Sequence, residues 1–258
     1  MLKEKFLKKR LYQLHVPEEG IRLNKYVANS GVAARRKADE LISDGKVTVN
    51  DVVIREMGHR VMKGDLVRHM GKLLVPGKKT YVLLNKPKDV ITTTDDDRGR
   101  RTVMDCISRV NAERVYPIGR LDRNTTGLLL FTNDGDLAQL LSHPSSEVKK
   151  LYHVTLDRSI TANHMEAIRG GTVILEEGPV PVDELDYVED APKSQVGISL
   201  HVGWNRVVRR TFEKLGYQVK YLDRVIYAQL TKKDLPRGKW RYLSQKEVIR
   251  LKHLGKGK

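Results

Sequence analysis

Leu23, Tyr26 and Val27 fall at i, i+3 and i+4, which predicts a helix ended by Ser30-Gly31. Ala38, Leu41 and Ile42 repeat the spacing, and Asp44-Gly45 closes this second helix. Val47-Thr48-Val49 and Val52-Val53-Ile54 flank the polar pair Asn50-Asp51 and read as two short strands joined by a tight turn. Gly64-Asp65 then precedes a third strand, Leu66-Val67-Arg68. Two helices feeding a small sheet make a minimal module over residues 20–68. Residues 1–19 read as a basic arm, and residues 69–79, with Gly, Pro and Lys, read as a linker.

From Thr80 the apolar runs lengthen. Strands are expected at Tyr81–Leu84, Val90–Thr93 and the continuous run Leu128–Phe131, the last buried on both faces. Asn133-Asp134-Gly135 opens a short helix over Leu137–Leu141, stopped by His143-Pro144. Tyr152, Val154 and Leu156 alternate, as do Ile198, Leu200 and Val202. Asn205 is placed to cap a helix that buries Val208, Phe212 and Leu215 and stops at Gly216. Ser244 and Glu247 have capping-box spacing before a C-terminal helix. Strands outnumber helices and do not alternate with them regularly, so the class is α+β with a mostly antiparallel sheet, forming a larger domain over 80–254 with a basic tail at 255–258.

Charge adds a partner to this picture. The chain has 258 residues and a formal net charge of +16, which points to a polyanion such as nucleic acid. Residues 1–78 hold 17 basic and 9 acidic residues, and residues 232–258 hold 10 and 2, so each flank carries +8 and the middle is neutral. Binding surfaces attached to a body with another task fit that distribution; a solubilising excess is the plainer alternative. No apolar run approaches the ~20 residues of a membrane span, and the single Cys106 excludes an internal disulfide framework. These features predict a protein of a reducing, cytoplasmic compartment with no membrane partner.

Metal and nucleotide motifs fail inspection. Gly71 to Lys79 has one residue too many between its glycines for a P-loop, no Ser or Thr after the lysine, and a Pro where an amide is wanted. There is no G-x-G-x-x-G after a strand, no HExxH and no G-x-S-x-G. Three segments do carry chemistry. Asp122 stands between Arg120 and Arg123 just before the buried run, where positive neighbours favour the ionised carboxylate, a nucleophile or base without a metal. A surface turn held by Arg–Asp pairs is the structural alternative. Arg206, Arg209 and Arg210 crowd the first turns of a helix, against its dipole, as if to meet phosphate or carboxylate. Tyr152, beside Lys149 and Lys150, could stack on a base while the lysines meet phosphate, although a strand tyrosine is commonly core.

Together these segments resemble a family. LLNKPKDVITT (83–93), YPIGRLDRNTTGLLLFTNDGDLA (116–138), KKLYHV (149–154), NRVVRR (205–210) and LPRGKWRYLSQKEV (235–248) are similar to the pseudouridine synthases of the RsuA/RluB type, which isomerise uridines in ribosomal RNA. Residues 21–68 resemble the S4 RNA-binding module that precedes that catalytic domain. The resemblance implies a catalytic aspartate at Asp122, an active-site tyrosine against the target base at Tyr152, and a basic partner of the aspartate at Arg209, with Val208 as its aliphatic neighbour. Many relatives read G-[RK]-N-R-Q-[VI]-R-R-M where this chain has Trp204, Val207 and Thr211, which bears on RNA contacts rather than on the Asp–Arg pair.

The reaction the resemblance implies breaks C1′–N1, turns the uracil and joins C5 to C1′. Nothing is oxidised or hydrolysed, so no cofactor and no metal is expected. The target base must be flipped out, at a few kcal/mol of unstacking. Expected RNA contacts are Arg22, Lys25, Arg35, Arg36, Lys37 and Lys46 in the S4-like module. In the catalytic domain they are Lys86, Arg120, Arg123, Lys149, Lys150, Arg206 and Arg210. Expected partners are ribosomal RNA or a pre-ribosomal particle, not DNA, with a monomeric enzyme acting on large-subunit rRNA. Small-subunit rRNA, tRNA and a non-catalytic RNA-binding assembly role are the alternatives.

Overall fold

The computed structural model describes residues 16–110 and 114–254, so most of the expected basic arm and all of the 255–258 tail lie outside the described residues. Among the described residues the chain forms two compact units, one of residues 16–79 with Arg114 and the other of residues 80–110 and 115–254.

In the first unit β1 (Ile21–Arg22) leads into α1 (Leu23–Asn29), followed by α2 (Arg35–Ser43). The i, i+3, i+4 apolar positions do what the spacing requires: Leu23, Tyr26, Val27, Ala38 and Ile42 are buried in one cluster. Strands β2 (Val47–Val49) and β3 (Val52–Val53) turn through Asn50 and Asp51, whose φ values of 50° and 66° are those of a hairpin turn with both central residues left-handed. Then come β4 (Arg60–Val61), which pairs with β1, and β5 (Val67–His69). The expected linker is not one throughout. It contains β6 (Lys72–Leu73), paired with β5, and it buries Leu73 and Leu74 in the module core. The four-stranded order is β3-β2-β5-β6.

The second unit is built on a nine-stranded sheet. Its strands are β7 (Tyr81–Lys86), β8 (Tyr116–Pro117), β9 (Thr126–Thr132), β10 (Lys150–Leu156), β13 (Val182–Tyr187), β14 (Gln195–Leu200), β15 (Val219–Tyr227), β16 (Leu230–Thr231) and β17 (Trp240–Tyr242). A separate hairpin comprises β11 (Ile174–Leu175) and β12 (Gly178–Pro179). The main order is β13-β14-β10-β15-β9-β7-β17, with β8 on β9 and β16 on β15. Every pairing is antiparallel except β9–β15. Val90–Thr93, expected as a strand, makes only an isolated bridge from Ile91 to Thr102.

Helices α3 (Val103–Cys106), α4 (Gly135–Ser142), α5 (Ala162–Arg169), α6 (Val207–Lys214) and α7 (Gln245–His253) complete the unit. The Ser244–Glu247 capping box is present at the start of α7. One apolar cluster joins β10, β13, β14 and β15 to α5 and α6; a second joins β7 and β9 to α4 and α7. The two halves of the sheet meet at the β9–β15 junction. Gly127 there has φ +106°, and a Cβ on it would lie 2.3 Å from the Arg224 carbonyl oxygen, so only glycine permits this approach.

Candidate active site

A cleft of about 580 Å³ opens where these halves meet, and its lining includes Asp122, Lys150, Tyr152, Arg206, Val208 and Arg224. Residues far apart in sequence converge because the β9–β15 pairing sets Gly127 against Arg224, and the β10–β15 pairing sets Tyr152 against Arg224.

Asp122 lies in the loop before β9, and that loop is pinned through its backbone. Lys86, at the end of β7, points its ammonium into the loop, with the carbonyls of Asp122, Arg123, Thr125 and Pro87 at 3.1, 3.2, 2.8 and 3.1 Å. Thr92 Oγ1 donates to the Leu121 carbonyl at 2.7 Å and accepts from the Leu121 amide at 3.2 Å. The Asp89 amide donates to the Arg123 carbonyl. Burial lowers the Lys86 pKa to about 8. Lys86 is 0% exposed and its ammonium is taken up by four backbone carbonyls, which corrects its expected role as an RNA contact. Asn85 beside it reaches the other way, to the Leu235 carbonyl at 2.8 Å.

The Asp122 carboxylate is 44% exposed and flanked by two guanidiniums, with Arg206 Nε 3.9 Å and Arg209 Nε 4.0 Å from Oδ2. These are ion pairs across a gap longer than a hydrogen bond, so the oxygens stay available to a reacting atom. Arg209 is fixed, with an 11% exposed side chain that donates to the Val219 carbonyl at 2.9 Å. Burial lowers its pKa, opposed by the Asp122 charge. Arg206 is half exposed and also lies 3.5 Å from Glu213 Oε1. The helix cap is Arg206 itself at φ +48°, not Asn205. A non-glycine residue in the left-handed region is strained, and here that conformation sets a guanidinium beside Asp122.

Arg210 goes elsewhere. Its Nη2 makes two contacts with the Glu177 carboxylate, at 2.6 and 2.8 Å, on the β11–β12 hairpin, so it is not part of the cleft. The three arginines crowding the helix start therefore meet carboxylates. Arg120 and Arg123 are exposed, with Arg123 3.4 Å from Asp89; Lys149 is exposed and 3.6 Å from Glu184. Tyr152 is half-buried in the cleft wall against the apolar cluster. Lys150 lines the cleft, and burial lowers its pKa to about 8. Arg224 and Thr92 were not foreseen, since nothing local in sequence marks either one.

In the first unit Arg22, Arg35, Arg36, Lys37 and Lys46 are exposed, and Lys25 is half-buried. Lys37 pairs with Glu40 and Lys46 with Asp44. Arg35, Arg36 and Lys37 sit in the first turn of α2, which has no acidic residue. Among the described residues no group of three or more His, Cys, Asp or Glu is placed to hold a metal ion, and no helix is long and apolar enough to cross a membrane.

The family profile described as RNA pseudouridylate synthase matches residues 80–214, and the S4 domain profile matches residues 21–67. The chain is 40% identical over 236 residues to ribosomal large subunit pseudouridine synthase B of Bacillus subtilis (strain 168), covering 90% of this chain and 96% of that protein. It is 35% identical over 239 residues to the dual-specificity RNA pseudouridine synthase RluF of Escherichia coli (strain K12), covering 92% and 80%. A pseudouridylate synthase crystal structure superposes with a TM-score of 0.63 at 27% identity, covering 90% of this chain and all of that one. With the Asp122 loop, the arginine-bearing helix start and the S4 module all in place, the chain belongs to the RNA pseudouridine synthases of the RsuA/RluB type.

Proposed function

We propose that this enzyme converts a uridine of large-subunit ribosomal RNA to pseudouridine, with Asp122 as the reacting carboxylate. The observation that carries the reading is the half-exposed Asp122 oxygen pair, set between Arg206 and Arg209 in the cleft that Tyr152 also lines. The extruded nucleotide enters the cleft, and Asp122 acts on it as nucleophile or base. C1′–N1 breaks, the uracil turns, C5–C1′ forms, and the C5 proton leaves as N1 gains one, so atoms and electrons balance without a co-substrate. Arg209, held by the Val219 carbonyl, faces the carboxylate and keeps it aimed. Tyr152 lies against the uracil. Cations of the S4 module supply phosphate contacts that offset the few kcal/mol of base extrusion.

Support for the RNA class comes from the Bacillus subtilis relative, whose name gives the large ribosomal subunit, and from the exposed first-turn cations of α2. Such a substrate places the enzyme in the cytoplasm and in ribosome biogenesis. The test is to incubate the protein with rRNA from cells lacking its gene, then map pseudouridine at single-nucleotide resolution. One new site in large-subunit RNA is expected. New sites confined to small-subunit RNA or tRNA would move the substrate, and none in any RNA or partly assembled particle would reject the reading.

A further inference from the structure

The cleft holds more positive charge than Asp122 accounts for. Arg224 is 3% exposed and lines it. Its Nε donates to the Leu128 carbonyl at 2.8 Å, and its guanidinium lies 4.5 Å from the Tyr227 ring centre. Its Nη2 is buried without a hydrogen-bond partner, and no carboxylate among the described residues pairs with it. A buried guanidinium with no carboxylate partner is costly to the fold, and Arg224 borders the cleft where an anion would meet it.

Lys150 stands on the same wall. It and Tyr152 are two residues apart on β10 and share a face, opposite Tyr227 and Arg224 of β15. Lys150 Nζ donates to the His201 carbonyl at 2.6 Å. Its pKa of about 8 leaves it mostly ammonium at neutral pH. The nearby carboxylate, Asp183, gives Oδ1 to His201 Nδ1 at 2.7 Å and keeps Oδ2 buried without a partner. Lys150 and Arg224 line the cleft and Asp183 does not, so this wall is positive.

We propose that Arg224 and Lys150 form the seat of a phosphodiester of the target nucleotide, so that the cleft grips the flipped uridine by its backbone as well as its base. A uracil carbonyl is satisfied by a neutral donor, whereas two cations with free N–H capacity match a charged, multiply accepting phosphate. The volume of about 580 Å³ lies in the range of small-ligand pockets. This inference rests on the nucleotide-site reading of the cleft, but its test does not require turnover.

Uridine, uridine 5′-monophosphate and uridine 3′-monophosphate are titrated into the full-length protein at fixed ionic strength. At least one monophosphate should bind about ten-fold tighter than uridine, the scale of one charge-assisted contact. Arg224→Met and Lys150→Met should each close most of that gap. Lys220→Met, which removes an exposed charge at the other end of β15, should not. Equal or absent binding of all three ligands by wild type, a preference surviving in both variants, or its loss in Lys220→Met would overturn the proposal. Should Arg224→Met fail to fold, the wild-type and Lys150→Met arms decide. A preserved phosphate preference in a protein that isomerises no RNA would sink the proposed reaction and leave the seat standing.

Discussion

Replacing Lys86 with methionine removes the one ammonium that holds the Asp122 loop from beneath. The lysine is costly to bury: a fall from 10.5 to about 8 corresponds to about 3 kcal/mol against the charged form. Against that stand four carbonyls at 2.8–3.2 Å that share its three N–H donors, the Thr125 contact buried and the other three part-buried, at ~1–3 kcal/mol for a buried acceptor left unsatisfied. The acceptors outweigh the relief, so Lys86→Met should lose on the order of 3 kcal/mol in urea unfolding. Turnover should fall more steeply, about 100-fold in single-turnover pseudouridine formation, because a shift of ~1 Å in a reacting group costs that much. The pH dependence separates two effects of the same proton. Between pH 8 and 10.5 the unfolded chain keeps a proton that folded Lys86 has released, so this group's contribution to stability rises with pH. Catalysis moves the other way, since deprotonation through pH 8 takes the charge and one of three N–H donors from the loop. Lys86→Met should flatten the stability rise in part, Lys150 retaining its own share. A variant with stability within ~0.5 kcal/mol of wild type, as for an ordinary surface change, and unchanged turnover would refute the pinning argument.

Gly127→Ala places a Cβ 2.3 Å from the Arg224 carbonyl oxygen at φ +106°, so β9 and β15 must separate. A loss above ~3 kcal/mol in thermal or urea unfolding is expected, and a wild-type melting curve would contradict the close approach. Arg206→Gly relieves a left-handed φ of +48° while deleting one guanidinium beside Asp122. Stability should hold or rise by about 1 kcal/mol as the rate falls roughly ten-fold; an unchanged rate would dismiss Arg206 from the site. Arg35→Ala with Arg36→Ala should lower the slope of log K against log salt by about 1 per lost phosphate contact. The melting temperature should stay the same, and an unaltered slope would remove α2 from the RNA surface.

Much of the fold is local, and so was legible. The α1 and α2 stripes, the Asn50-Asp51 turn and the Ser244–Glu247 box depend on spacing and cap chemistry within a few residues, and all form as read. Val90–Thr93 did not, because its alternation finds a single bridge partner and no neighbouring strand. Residues 69–79 looked like a linker by composition, yet Leu73 and Leu74 had a core to join. At the site, Asp122, Tyr152 and Arg209 are expected from motif residues; the structure sets Asp122 and Tyr152 in one cleft, with Arg209 beside Asp122. Lys86 was assigned by its charge, and burial reverses the assignment. Arg224 gave no local sign, since its place is set by pairings with Gly127 and Tyr152. Long-range register decides such residues, and composition carries no record of it.

The chemistry is assigned to the Asp122 carboxylate, which has little part in folding or RNA affinity. Asp122→Asn keeps the shape and removes the charge between Arg206 and Arg209. The direct measurement is single-turnover pseudouridine formation on rRNA lacking the modification, with RNA affinity and melting temperature taken on the same preparation. No detectable pseudouridine is expected, with affinity and melting close to wild type. Substantial pseudouridine formed by Asp122→Asn would contradict that assignment.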